Sequence, residues 1–293
     1  MGTTITVEIV GHDATAVDRA ERARAAARAL AWFGDIEATC SRFDPSSELR
    51  RLCDQPGRAT PVSATVLEAL RFAIALAHET NGGFDPTVGH LMVRHGFDRH
   101  YYTGESSRVS PADGEGDFRD VEIDVDNRTV TLHRPVQLDL GAVAKGLAVD
   151  MAVRELISYK NFAVNAGGDL FLAGRNPQRK PWSVGIRHPR EPDKTIETIH
   201  VSDIAVCTSG DYERPRPTGD GHHIVDPRSG ESPSELASVT VVAPLAMVAD
   251  ALATAAFVLG AERGRSLLTK HGAEGLFITS HLERSATAGF PRD

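Results

Sequence analysis

In the segment Ala246-Met247-Val248-Ala249-Asp250-Ala251-Leu252-Ala253-Thr254-Ala255-Ala256-Phe257-Val258-Leu259, the only polar side chains are Asp250 and Thr254. Four residues apart on a helix, they share one face. The remainder is apolar on nearly every side, the mark of a buried helix. A carboxylate buried there without compensation is expensive. A hard cation such as Mg²⁺ would compensate it, because carboxylate and hydroxyl are both oxygen donors of the kind that ion accepts. The residues alone leave two alternatives open: a thin polar stripe facing solvent, or Asp250 capping a neighbouring loop.

Other segments offer complementary groups. Gln137-Leu138-Asp139-Leu140-Gly141-Ala142-Val143-Ala144-Lys145-Gly146 reads as strand, glycine, then helix. A helix start presents free N–H groups and positive partial charge, which suits a diphosphate, and Lys145 can add a full charge. The same junction is common in proteins that bind nothing. Asn165-Ala166-Gly167-Gly168-Asp169 places paired glycines between two strands, where a ligand or another strand can approach the backbone. Thr208-Ser209-Gly210-Asp211-Tyr212 follows another strand with hydroxyls and a ring, or is a polar turn. Gly83-Phe84-Asp85-Pro86-Thr87-Val88-Gly89 could wrap a planar ring, or be a packed loop.

His222-His223-Ile224-Val225-Asp226-Pro227 reads as a strand, on which adjacent histidines point to opposite faces and do not share a metal easily. One of them is a candidate general base, since histidine titrates near neutral pH. Ser209, His223 and Asp226 could be strung into a hydrolase triad, but the chain has no G-x-S-x-G elbow and that reading is set aside.

The elements that must hold these groups follow from periodicity. A strand is predicted over 3–10 and a helix over 13–39. A helix over 63–79 has Ser63 as N-cap and Val66, Leu70, Ile74 and Ala77 buried. It stops at Asn81-Gly82-Gly83, whose glycines suit a positive φ. A polar loop is expected over 103–117. A hairpin over 121–133 turns at Asp126-Asn127, and a helix covers 142–157. Strands follow at 162–165, 170–173, 182–187, 195–201 and 204–207. After an exposed loop at 213–221 come a strand (239–243), helices (245–259 and 262–271) and a last strand (275–280). Strands grouped in runs, with helices between groups, point to α+β and not to a doubly wound sheet.

Bulk properties remove competing classes. With 293 residues the chain can bury one large core or two smaller ones. A net charge of −8 argues against a general nucleic-acid binder, which needs a basic surface, and requires local features to offset charge wherever an anion binds. Cys40, Cys53 and Cys207 are odd in number and lack CxxC spacing, against a disulfide framework or zinc site. No apolar run approaches the roughly 20 residues of a membrane span, so no stable membrane insertion is expected. The start of the chain alternates like a strand and lacks a signal peptide's pattern, giving a cytoplasmic protein as the expectation.

Read in order, the segments resemble the ApbE family, the FAD:protein FMN transferases. The resemblance rests on Met1-Gly2-Thr3, Ser41-Arg42-Phe43-Asp44, Phe84-Asp85-Pro86-Thr87-Val88-Gly89, Gly96-Phe97 and Asp139 to Gly146. It continues through Asn165 to Leu170, Thr208 to Tyr212, His223 to Gly230 and Asp250-Ala251-Leu252-Ala253-Thr254. It implies an α+β fold related to the T-fold, with mixed or antiparallel sheets and packed helices around a central FAD cleft. The expected organisation is one domain over 1–293, with two intertwined α/β lobes as the variant. Metal ligands would be the Ala142 carbonyl and the side chains of Asp250 and Thr254, now favoured over the stripe and the cap. FAD contacts would fall on Met1, Phe43, Gly83, Phe84, Asp85, Asp139, Lys145 and Ile224. Phe43 stands where the family often has tyrosine, which keeps a stacking surface and loses a hydroxyl. Many relatives are exported and lipid-anchored, so an exported protein with a missing leader is the alternative to a cytoplasmic one.

The implied reaction is Mg²⁺-dependent transfer of FMN from FAD to a Ser or Thr hydroxyl of an acceptor flavoprotein, releasing AMP. His223 is the expected proton acceptor, with Asp211 as second candidate. The alternatives are an FAD pyrophosphatase, in which water replaces the protein hydroxyl, and a non-catalytic FAD-binding protein.

Overall fold

The computed structural model describes residues 2–11, 15–99, 104, 116–217 and 219–292. The chain forms two compact units, each assembled from separated segments. One comprises chiefly Asp35–Ala144 and Asp211–Ser234; the other comprises Thr3–Gly34, Lys145–Gly210 and the chain from Glu235 onward. Each is described in turn.

The second unit is built on an antiparallel seven-stranded sheet. Its strands are β1 (Ile5–Ile9), β5 (Phe162–Ala166), β6 (Asp169–Ala173), β9 (Ile204–Gly210), β10 (Leu236–Ala243), β11 (Glu274–Thr279) and β12 (Arg284–Ala286), and that is also their spatial order. β1 alternates half-buried and exposed residues, as an edge strand covered on one face should. All eight residues of β10 are buried, so both of its faces are covered. One cover is the helix α6 (Ala246–Leu259), which lies against β9 and β10. The Cys207 thiol reaches the Ala246 carbonyl oxygen of α6 at 3.6 Å. Its neighbour Val206 therefore points the other way. On that side the hairpin β7 (Trp182–Arg187) and β8 (Thr195–Val201) packs Trp182, Ile186, Ile199 and Val201 against Leu172, Val206, Val242, Leu276 and Ile278.

α6 is thus apolar all round because it is enclosed, with α7 (Ala261–Lys270) on another side. Gly260, at φ 81°, ends α6 and begins α7 in one residue, a conformation that glycine adopts without strain. Glu235 accepts the Ala261 N–H at 2.8 Å and caps the second helix. The long helix α1 (Ala16–Cys40) opens on a reciprocal cap: Asp18 accepts the Thr15 N–H at 2.9 Å and Thr15 Oγ1 accepts the Asp18 N–H at 3.2 Å.

In the first unit, α3 (Ala64–Glu79) starts where expected, with the Ser63 hydroxyl accepting the Val66 N–H. It buries the predicted face. Its exit uses positive φ at Asn81 (50°) and Gly82 (76°), and not at Gly83. The hairpin β3 (Val121–Asp124) and β4 (Thr129–Leu132) is shorter than predicted and carries β2 (Thr60–Pro61) on the far side of β4. Two short helices, α2 (Glu48–Cys53) and α4 (Gly89–Arg94), were not read from the sequence. Neither is long enough to show a period. The segment around His222 and His223 is irregular, with isolated bridges at His222 and Asp226. The opposite-face argument for the two histidines therefore does not apply. The expected loop over 103–117 lies largely outside the described residues.

The fold class is α+β, as expected: helices with antiparallel sheets. Among the described residues no helix is long and apolar enough to cross a membrane.

Candidate functional site

Helix α5 (Gly141–Leu156) carries Lys145, Gly146 and Asp150 toward α6. Asp150 accepts the Ala246 N–H at 2.8 Å and the Met247 N–H at 2.9 Å, one with each carboxylate oxygen. α6 has no side-chain cap of its own, so this carboxylate from another helix serves as one. Burial pushes the Asp150 carboxyl up, and the two N–H groups pull it back toward the charged form. A turn earlier, the Gly146 N–H donates to Asp250 Oδ2 at 3.1 Å. A Cβ at Gly146 would lie 2.4 Å from the Ala246 carbonyl oxygen, so only glycine lets the helices meet this closely. Gly146→Ala is expected to cost about 1–3 kcal/mol through overpacking. Thermal unfolding checks it, and an unchanged Tm would contradict the close approach.

Asp250 is 6% exposed. Burial, and then the nearby Asp169 carboxylate, raise its pKa to about 7, against the opposing pull of Lys145 and the Gly146 N–H. The Lys145 ammonium pairs with Asp169 at the start of β6. Burial alone would lower the lysine pKa, but the carboxylates of Asp250 and Asp169 outweigh it and hold it raised. One turn along α6, the Thr254 hydroxyl is hydrogen-bonded to that of Ser209 at 3.1 Å. Burial, then Asp169 and Asp250, keep the Cys207 thiol in its neutral form, which suits packing and not nucleophilic attack.

Among the described residues no three His, Cys, Asp or Glu side chains cluster as a metal site. An ion here would rely on one carboxylate supplemented by hydroxyl, carbonyl and ligand oxygens. That donor set fits a hard cation and not zinc. The high pKa of Asp250 has the same sense: its charge is under-compensated by protein groups alone.

In the other unit, Arg42 is buried and its Nε meets Asp139 Oδ2 at 2.7 Å, with a second guanidinium N–H on the Phe97 carbonyl. The same guanidinium lies 4.0 Å from the Phe43 ring centroid, so the half-buried aromatic is held on one side by the cation. Asp139 also accepts the Gly141 N–H at 2.7 Å and caps the start of α5. Asp85 is buried. It accepts the Thr87 N–H at 2.8 Å, the Thr87 hydroxyl at 2.7 Å and the Phe118 N–H at 3.4 Å. Burial raises its pKa, with those bonds opposing. Gly83 and Phe84 are buried beside it, the Phe84 N–H on the Thr80 hydroxyl at 3.0 Å.

His222 is occupied structurally: its Nε2 faces the Pro233 carbonyl at 2.9 Å and its Nδ1 accepts the Ile224 N–H at 3.3 Å. His223 is half-buried, edge-on to Phe97 with ring centroids 6.5 Å apart. Ile224 is buried. Thr208, Ser209 and Gly210 belong to β9 itself, and half-buried Asp211 opens the turn that follows. Met1 lies outside the described residues.

Gly146, Asp150, Asp169 and Arg42 were not singled out as site residues, and Ser209 entered only through a triad reading that was set aside. A signal existed for two of them, because Gly146 and Asp150 are four apart and share one stripe of α5. Asp169, Ser209 and Arg42 depend on pairings between distant segments.

The model of the ApbE family matches residues 1–277. An FAD:protein FMN transferase of Treponema pallidum is 36% identical over 277 residues, covering 86% of this chain and 76% of that protein. One of Vibrio cholerae is 34% identical over 250 residues, 80% of this chain and 72% of its own length. Among solved structures, an ApbE protein of Thermotoga maritima superposes with a TM-score of 0.83 at 31% identity, over 99% of this chain and 95% of that one. The flavin transferase ApbE of Vibrio cholerae superposes with 0.81 at 30% identity, over the same shares.

Proposed function

We propose, on the premise that this chain belongs to the ApbE family, that it is an enzyme transferring the FMN half of FAD to a Ser or Thr hydroxyl of an acceptor flavoprotein. The observation that carries this reading is Asp250: a buried carboxylate on an otherwise apolar helix, ionising only near neutrality and one turn from a hydroxyl. Asp250 and Thr254 would hold Mg²⁺. The Ala142 carbonyl, the third donor, belongs to the other unit and is carried forward from its motif alone. When bound, the ion supplies charge neutralisation and Lewis acidity at the diphosphate.

The chain's own residues do the rest. Lys145, raised and paired, stays charged at every physiological pH and contributes fixed positive potential beside Asp250. Phe43, Gly83, Phe84, Asp85, Asp139 and Ile224 are the flavin-nucleotide contacts of the first unit. Asp85 would act by fixing its loop, since its oxygens already hold Thr87 and Phe118. Asp139, tied to Arg42, would hold the entry to α5. His223 would take the proton from the acceptor hydroxyl, with Asp211 as the second candidate. The hydroxyl oxygen forms a bond to the phosphorus on the riboflavin side, the anhydride bond breaks, and AMP leaves. Most of the rate would come from positioning and charge stabilisation.

The test is incubation with FAD, Mg²⁺ and a flavoprotein acceptor. Mass spectrometry should find one FMN added to the acceptor and AMP released. FMN and AMP formed at the same rate without acceptor would mark a pyrophosphatase, and FAD recovered intact with both present would mark a binding protein. His223→Ala is expected to slow transfer by about 10²–10⁴-fold, the usual worth of a general base. FAD affinity, read by fluorescence quenching, should stay unchanged. A wild-type rate would transfer the role to Asp211.

A further inference from the structure

At the opposite end of the same sheet lies a cavity of about 520 Å³, bounded by the end of β5's approach, the turn after β6 and the β8–β9 connection. Three cationic side chains line it: Lys160, Arg175 and Arg179. None of the three has a carboxylate partner among the described residues, in a chain of net charge −8. Asp203, the only carboxylate on the wall, is turned to the Gly174 N–H at 2.8 Å.

The wall is built and not a loose loop. Asn176 Oδ1 accepts the N–H groups of Gln178 (2.9 Å) and Lys180 (3.1 Å), and its amide donates to the Pro181 carbonyl at 3.0 Å. Arg175 donates one guanidinium N–H to the Arg179 carbonyl at 3.1 Å, which fixes its fork. Asn161 Oδ1 receives the Arg175 N–H at 2.8 Å. Gly174, at φ 57°, comes so close to Lys160 and Asn161 that a Cβ would lie 2.3 Å from the Lys160 carbonyl oxygen. Three like charges round one concavity give it a positive potential, which an anion bound there would offset. A volume of this size lies within the range of small-molecule sites.

We propose that this cavity is a binding site for a compact polyanion of the phosphate class, separate from the flavin site. β6 starts at Asp169 beside Lys145 and ends at the cavity, so the two lie about 17 Å apart along the strand, at ~3.3 Å per residue. The inference does not rest on the transferase reading.

Inorganic pyrophosphate is the probe, titrated calorimetrically at low salt without divalent cations. Saturable 1:1 binding is expected, weakening at least tenfold in R175A/R179A and to a similar degree in K160A/R179A. Absence of saturable binding overturns the proposal. So does binding that survives both double variants, since the anion would then lie elsewhere. Circular dichroism of the double variants confirms the fold, and these surface changes leave the Asn176 turn intact.

Discussion

Asp250→Asn is expected to lower Mg²⁺-dependent transfer by at least about 10³-fold while leaving the fold standing, because a direct metal ligand supplies several kcal/mol of charge stabilisation. Asparagine keeps an oxygen to accept the Gly146 N–H and removes a charge that burial already disfavours. The sign follows from linkage. The folded pKa of about 7 lies above the unfolded value of 3.8, so the native state holds the extra proton between them. Metal-free stability from this group is therefore full at low pH and lost as pH rises toward 7. The variant should lose that dependence and melt no lower than the parent at pH 8. An ion competes with the proton for the same oxygens, so added Mg²⁺ should raise the parent's Tm more at pH 8 than at pH 6. It should leave the variant's Tm unmoved. Normal transfer by the variant would remove the metal assignment.

Lys145→Met is the second large effect, and it acts on stability. The ammonium is the common counter-charge of two buried carboxylates, Asp169 and Asp250. Removing one partner of a buried pair leaves charge uncompensated and costs about 3–5 kcal/mol. Chemical denaturation should show that loss near pH 8. A partial recovery near pH 5 is expected, where protonation can relieve the remaining acids. A loss that is the same at both pH values would mean that the carboxylates do not depend on the lysine.

How much of this could be read from residues alone differs from element to element. α6 was plain, since fourteen residues with two polar side chains leave little choice about burial. α3 was plain too, with a serine cap and a regular apolar face. α2, α4 and β2 escaped because a helix of six residues or a strand of two has no period to detect. β9 ran on through Thr208-Ser209-Gly210, where polar and small residues suggested a turn. Pairing with Ser238 to Thr240 of β10 overrode local preference.

At the site, Asp250, Thr254 and Lys145 were legible because each is a polar exception in an apolar context. Asp169 was visible only as the last letter of a glycine motif, and its meaning comes from a lysine on another element. Asp85 was legible as a carboxylate beside turns, and Asp139 only through the motif that carries the family resemblance. That their oxygens are already committed to Thr87, Phe118, Arg42 and Gly141 is a property of the folded chain.

The assembly of each unit from separated stretches has a consequence for how the protein is made. During synthesis, β1 leaves the ribosome early, but its partner β5 is far downstream, with Ile5 opposite Ala166. The core strand β10 and the helix bearing Asp250 come later still. Such wide separation between partners slows folding. The nascent edge strand must stay unpaired meanwhile, a state in which exposed strands invite aggregation. Its alternating charged and polar outer face, Thr6 and Glu8, is the kind of sequence that tolerates the wait.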